Sequence, residues 1–324
     1  MRVIRNTCNF FLNILINYRI KKIMALEGNL SKRKGTFKAS EFSAPRFDRV
    51  FEILILSGNG APKSGYPGSF FTLMSSIKDI TRSIESLDRN PQPSKNKANL
   101  SFFIELENYA KFLGAKSLGY THVPLELIFK NLSLQYQNAV VFTMEIDQYR
   151  LYGVPGQETG AMIHQTYNNL GRVSIKIANF LRENGYSAHP EHPMMGQVSF
   201  PPLAQKASLG WQGKHRLLIT PELGSRVILS AVYTSIENLP KPPQNKHRWI
   251  EDYCEHCKAC IRECPTGAIS GTSIYYKNGI VDATGPGRCF RMFSKHGDCN
   301  MCIKKCPFSI EEYQTLKKKF ISNN

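Results

Sequence analysis

Apolar residues recur along this 324-residue chain in two rhythms. Between Ala161 and Asn184, Leu170, Val173, Ile177, Phe180 and Leu181 return at helical spacing, with Arg172, Lys176 and Glu183 off that stripe. The period predicts a long amphipathic helix ended by Gly185. Phe102–Leu113 repeats the pattern and stops at Gly114, and residues 70–88 form a third helical candidate. Short apolar runs predict strands at Phe51–Leu56, Ala115–Val123, Ala139–Ile146, Leu217–Thr220 and Arg226–Thr234. Ser57–Ser69 and Asn90–Asn99 read as loops, and Pro240, Pro242 and Pro243 mark a boundary. Helices and strands alternate irregularly, which favours an α+β layer over a doubly wound sheet. The expected organisation is a basic, flexible head over 1–50, a linker-rich segment with a short helix over 51–99, a folded domain over 100–240, a cysteine-rich domain over 247–316 and a tail over 317–324.

Composition narrows this picture. A hydrophobic content of 42% with 11% aromatics belongs to a globular chain. No run of 18 or more apolar residues occurs, which argues against a spanning helix. The net charge of +17 invites an anionic partner such as nucleic acid, but residues 1–50 hold 11 Lys/Arg against 3 Asp/Glu and so carry nearly half the excess. The head has an apolar patch (Phe10, Phe11, Leu12, Ile14, Leu15, Ile16) between basic ends, a plan shared with secretory signals. Asn13 and Asn17 interrupt it, and neither a small-residue cleavage site nor an Arg-Arg pair follows. The expectation is a cytoplasmic protein with a dispensable head, Met24 being an alternative start.

Cysteine placement carries the chemistry. Eight of the nine cysteines fall between Cys254 and Cys306, a density that suits metal ligands in a reducing compartment rather than a disulfide framework. Cys254, Cys257, Cys260 and Cys264 form C-x2-C-x2-C-x3-C followed by Pro265, the run of two-cluster bacterial ferredoxins. Cys299, Cys302 and Cys306 repeat its second half before Pro307, and Cys289 completes eight ligands. Three thiolates on one tight turn can cap three corners of a cuboidal cluster, and the fourth reaches the neighbouring one. The expected sets are Cys254, Cys257, Cys260 and Cys306 on one 4Fe–4S cluster, and Cys264, Cys289, Cys299 and Cys302 on the other. Zinc sites use paired C-x2-C arms farther apart and fit this text less well. His256 and His296 lie nearby, but eight sulfurs already suffice. Two clusters at this spacing make an electron wire, for which a ferredoxin- or flavodoxin-type donor is the expected partner.

The preceding domain holds a glycine-rich stretch, Leu209-Gly210-Trp211-Gln212-Gly213-Lys214, followed by Leu218-Ile219-Thr220-Pro221-Glu222-Leu223-Gly224-Ser225-Arg226. Its glycines permit close backbone approach. They suit packing against a large flat cofactor, or ordinary turns around a core Trp. The text PPLAQKASLGWQGKHRLLITPELGSRVILSAVYT, followed by the double cysteine run, resembles the corrinoid-dependent iron–sulfur reductases, comprising epoxyqueuosine reductases and reductive dehalogenases. The resemblance covers roughly residues 100–310. GWQGK is similar to the epoxyqueuosine branch, and the short Cys289–Cys299 spacing to the dehalogenase branch.

The resemblance implies a nitroreductase-like α+β domain holding base-off cobalamin, fed by two 4Fe–4S clusters, with no protein histidine on cobalt. It implies cobalamin contacts from Gly210, Trp211, Gly213, Lys214, Thr220, Pro221, Gly224, Ser225 and Arg226. It also implies a proton donor at the start of the long helix. Epoxyqueuosine reductases carry Asp-Tyr-His there, whereas this chain reads Ala161-Met162-Ile163-His164-Gln165-Thr166-Tyr167, with no acid. Tyr167 is the expected donor by analogy with the dehalogenases, and His164 the second candidate. The C-terminal repeats with which epoxyqueuosine reductases meet tRNA have no counterpart in the residues after Cys306. His189 and His192 sit in a Pro-rich stretch, SAHPEHPMM, near the expected site. The functional expectation is a cobalamin-dependent reductase acting on a small molecule or a tRNA base. The alternatives are an electron-transfer protein that reduces a partner's corrinoid, and a tRNA epoxyqueuosine reductase proper.

Overall fold

The computed structural model describes residues 2–46, 69–275, 281–284, 288–289 and 299–322. The strand expected at Phe51–Leu56, most of the loop after it, and His296 lie outside the described residues.

In place of the flexible head expected over 1–50, the described residues 2–46 are built around a helix. Helix α1 spans Arg2–Leu30, and Ile16, Ile20, Ile23 and Leu30 are buried along one side of it. They pack against Ile77, Ile80 and Ile84 of α2, Ser69–Glu85. The alternation of four- and three-residue steps is a helical stripe, and Lys21 and Lys22 fall on the exposed side. Past the helix, both terminal nitrogens of Arg46 meet the Glu27 carboxylate at 2.8 Å. This ion pair is only 8% and 4% exposed.

Helix α3, Leu100–Phe112, starts where the Asn99 side chain accepts the Phe102 N–H at 2.9 Å. It gives way at Gly114, φ +99°. The remaining elements of the central domain are β2 (Leu118–His122), β3 (Ser133–Leu134), β4 (Asn138–Glu145), α4 (Gln148–Leu151), α5 (Gln157–Glu183), β5 (Ala188–Pro190), α6 (Phe200–Lys206), β6 (Trp211–Gln212), β7 (Leu218–Ile219) and β8 (Val227–Thr234). A two-residue strand, Phe37–Lys38, pairs with β3. The main sheet is antiparallel throughout, in the order β2-β4-β8-β5. Val140 pairs with Val232 and Val141 with Ala231, so alternate residues serve opposite faces. Val140, Phe142 and Val232 pack with Leu170, Ile177 and Leu181 of α5. Val141, Ala231 and Tyr233 pack with Leu203 and Ala204 of α6 and with Leu127, Ile128 and Leu134. With both faces covered, β8 is buried at every position. The Pro-rich stretch contributes the edge strand β5, where Pro190 is tolerated because one side of an edge strand needs no ladder bond.

The cysteine module adds α7 (Trp249–Cys257), α8 (Ala259–Arg262), β9 (Ile269–Tyr275), β10 (Val281–Thr284), α9 (Met301–Lys304) and α10 (Tyr313–Ser322). It seats on the β6–β7 hairpin, where Trp211 and Ile219 pack with Trp249, Ile250, Tyr253, Phe308, Tyr313 and Leu316. The tail expected from 317 is instead the body of α10, and Phe320 reaches the Trp249 and Tyr253 rings. At the far side, Lys304 Nζ donates to the Tyr152 and Val154 carbonyls at 2.6 and 3.1 Å.

Candidate metal centre

Cys254, Cys257, Cys260 and Cys306 line one small cavity of about 20 Å³, walled also by Tyr253, Phe308 and His215. The first two thiols leave the end of α7. Lys258 then takes a left-handed turn, φ +50°, and α8 brings Cys260 back to the same side. Cys306 arrives from the other end of the module, just before Pro307. Burial raises the Cys254 thiol, and the neighbouring Cys306, Cys260 and Cys257 sulfurs add to the rise. Burial likewise pushes Cys260 up to about 11 and Cys306 up to about 12. Hydrogen bonds oppose this: the Lys214 N–H serves Cys254, and the Ser225 hydroxyl and Phe308 N–H serve Cys306. Crowded thiols that resist ionisation alone are discharged by a metal centre, whose binding displaces their protons.

The second set is built alongside. Cys289 is raised by burial and then by Cys299 and Cys264. Cys302 is raised by burial and then by Cys289, Cys260 and Cys299. Cys260 and Cys302 thus sense each other across the two sets. Cys264 differs: burial raises it, but bonds from the Ile269, Thr266 and Ala268 N–H groups and the Thr266 hydroxyl outweigh burial and lower it. The Ala268 N–H lies 3.2 Å from its sulfur. Among the described residues no three His, Cys, Asp or Glu side chains converge on a single-ion site; the first four thiols ring the cavity wall instead.

The glycine-rich segment is mostly taken up by the protein itself. A Cβ on Gly210 would strike the Ile219 carbonyl, and one on Gly224 (φ +58°) the Phe308 carbonyl. Trp211 belongs to the module seam. Lys214 is buried with Nζ 2.6 Å from Glu255 Oε1. Thr220 caps its own turn, its hydroxyl accepting the Leu223 N–H. Ser225 Oγ lies 2.7 Å from Ser309 Oγ, and Arg226 pairs with Glu145 at 2.9 Å. Pro221, Gly224 and Arg226 line an open groove of about 330 Å³ shared with Glu222, Glu311 and Glu312.

On α5, Tyr167 packs against the main core, as Met301 and Cys302 of the cysteine module also do. His164, one turn earlier, is half-buried. His189 and His192 are buried on opposite sides of β5 rather than together: His189 stacks edge-on to Tyr233, and the His192 ring lies against Gly171 of α5. Burial lowers both to about 3. His256 is exposed, its Nδ1 2.8 Å from the Asp252 carbonyl. His215 is the cavity-lining residue that sequence reasoning missed; its only signal was its place after Lys214.

A model of the 4Fe-4S binding domain matches residues 247–270. The tetrachloroethene reductive dehalogenase of Desulfitobacterium hafniense is 36% identical over 189 residues, covering 53% of this chain and 33% of that protein. Its counterpart in Sulfurospirillum multivorans is 26% identical over 299 residues, covering 75% of this chain and 58% of that one. The epoxyqueuosine reductase of Francisella cf. novicida (strain Fx1) is 44% identical over 127 residues, covering 37% of this chain and 34% of the enzyme. Among solved structures, the catabolic reductive dehalogenase NpRdhA in complex with 3-bromo-4-hydroxybenzoic acid matches 89% of this chain and 45% of its own, with a TM-score of 0.67 and 16% identity. A reductive dehalogenase described as B12-dependent matches 82% of this chain and 40% of its own, with a TM-score of 0.65 and 18% identity. The chain therefore shares its mixed α/β fold with reductive dehalogenases, is homologous to both kinds of reductase, and spans between a third and three-fifths of those curated relatives.

Proposed function

We propose that the chain is an iron–sulfur reductase of the cytoplasm that relays single electrons through two 4Fe–4S clusters. Cys254, Cys257, Cys260 and Cys306 would hold one, and Cys264, Cys289, Cys299 and Cys302 the other. The observation that carries this is the ring of four thiols around one cavity, with the second set beside it. Bound clusters supply one-electron transfer. The protein's part is to direct the Lys214, Ser225 and Phe308 hydrogen bonds at the sulfurs and to clamp the module through Lys304. A ferredoxin- or flavodoxin-type protein is the electron source in this reading.

The terminal acceptor in this reading is a corrinoid, supported by the likeness to a reductive dehalogenase described as B12-dependent. Five of the nine residues named for cobalamin, Gly210, Trp211, Lys214, Thr220 and Ser225, already have protein partners, so the segment as a whole does not fit as its bed. No step is therefore routed through cobalt. The same observation favours a second reading, in which the chain delivers electrons to a corrinoid bound by another protein. Tyr167 is the proton donor of the first reading and His164 its substitute; a neutral phenol is a competent acid near pH 7. The substrate class, a small molecule or a tRNA base, follows whichever acceptor holds.

Anaerobic reconstitution with iron, sulfide and hydroxocobalamin tests this. About eight irons per chain are expected from two cuboidal clusters. Retained cobalt supports the enzyme, whereas eight irons without cobalt support the relay; fewer than four irons would sink both. RNA binding that survives neutralising the basic residues of α1 would remove the argument from the basic head for the tRNA reading.

A further inference from the structure

His215 lies in the stretch that carries the resemblance but was given no role there, yet it is only 5% exposed and forms part of the wall around Cys254, Cys257, Cys260 and Cys306. The Leu217 backbone N–H donates to its Nδ1 at 3.1 Å. An imidazole that accepts at Nδ1 carries its proton on Nε2. That Nε2 is buried and meets no acceptor among the described residues. Buried N–H groups are rarely left unpaired, and an orphan in a native structure points to a missing partner. Gly213 makes the placement possible, since a Cβ there would lie 2.9 Å from His215 Cε1 and 2.8 Å from Ile219 Cδ1. The neighbouring Lys214 charge is already answered by Glu255 at 2.6 Å, so His215 brings a directional donor to the cavity without net charge.

We propose that His215 Nε2–H donates a hydrogen bond to a sulfur of the cluster in the first thiol set and raises the reduction potential of that cluster. The proposal rests on reading those four thiols as ligands of one cluster. Reduction adds one electron to the cluster and moves no proton from His215. The added negative charge strengthens the hydrogen bond, so the donor favours the reduced form; hydrogen bonds to cluster sulfurs are among the levers on such potentials. The imidazole is a positioning and tuning group, not a catalytic residue.

The test is an EPR-monitored redox titration of the full reconstituted chain, with dithionite as reductant and iron and sulfide counted in each sample. His215→Leu removes the donor and His215→Gln retains an N–H. In His215→Leu, one of the two midpoints is expected to fall by roughly tenfold in the one-electron reduction equilibrium, about 59 mV. The other should move less, and His215→Gln should recover part of the shift. Unchanged midpoints in a fully loaded His215→Leu protein would overturn the proposal. Should that variant fail to hold iron, the wild-type chain labelled with 15N-histidine decides. Histidine 15N modulation in the HYSCORE spectrum of the reduced cluster supports the bond, and its absence overturns it. Failure of the wild-type chain to take up iron strikes the ligand assignment instead, and is distinguishable from both.

Discussion

In the central sheet, β8 is buried along its whole length by apolar neighbours on both faces, whereas the cysteine module turns four thiols onto the wall of a cavity. The first region closes on itself by packing. The second has an aromatic seam, Trp249, Tyr253, Phe308 and Tyr313, on the side that meets the sheet domain, and four thiols beside it around one cavity. Apolar burial supplies stability as soon as the chain collapses. A thiol set supplies it only when metal binds, because binding free energy is then folding free energy.

The sharpest way to break this contrast is to remove iron. Chelation of the reconstituted protein should open the module while the sheet domain stays folded, since structural metal sites are worth on the order of 10 kcal/mol. Limited proteolysis would then cut between Cys254 and Cys306 and spare residues 100–234; simultaneous loss of both regions would show that they do not differ in this way. A smaller effect is expected from deleting residues 2–23. Three buried isoleucines of α1 leave with them, at a cost of about 5 kcal/mol from lost apolar burial. A denaturant midpoint unchanged by the deletion would restore the dispensable head. Gly224→Ala acts on the boundary itself. It puts a Cβ at φ +58° against the Phe308 carbonyl, and should weaken the seam by roughly 2–4 kcal/mol through strain and overpacking. The readout is module protection in hydrogen exchange, with the sheet unaffected.

Acid should test the packed side. His189 and His192 have folded pKa values lowered to about 3 by burial, with Arg182 and Arg33 adding to the effect on His189. Their neutral forms are favoured in the fold, so their contribution is intact above the unfolded value of about 6.5 and is lost as pH falls from there toward 3. Glu191, raised by burial, works the other way. Its charged form is the disfavoured one, so it costs stability above the unfolded carboxylate value and relieves that cost as pH drops. His189→Gln should therefore flatten the acid slope of stability between pH 6.5 and 4 relative to wild type, a change of a few kcal/mol at most. An identical slope would remove His189 as a contributor.

Local pattern was enough where one element answers to one rhythm. The stripe from Leu170 to Leu181 announced α5, Gly114 and Gly185 announced the ends of two helices, and the apolar runs announced β2, β4 and β8. It misled where charge or proline dominated the text. The basic residues of α1 hid the Ile16, Ile20, Ile23 stripe, and Pro190 and Pro193 in a short stretch hid an edge strand. The Lys317-Lys318-Lys319 run hid the helix that carries Leu316 and Phe320 to the module.

The cysteine spacing by itself pointed to Cys254, Cys257, Cys260 and Cys306 as one group, because the stereochemistry of a short turn decides which sulfurs can face one side, and the fold gathers those four around one cavity. What occupies the glycine-rich segment was a tertiary decision. A glycine admits close approach without saying by what, and here the approaching groups are the Ile219 and Phe308 carbonyls. The same holds for His215. Its residue type was visible in the chain, but the acceptor role of Nδ1, the unpaired Nε2 and the cavity beside it arise only when the Leu217 amide, Gly213 and the four thiols are brought together.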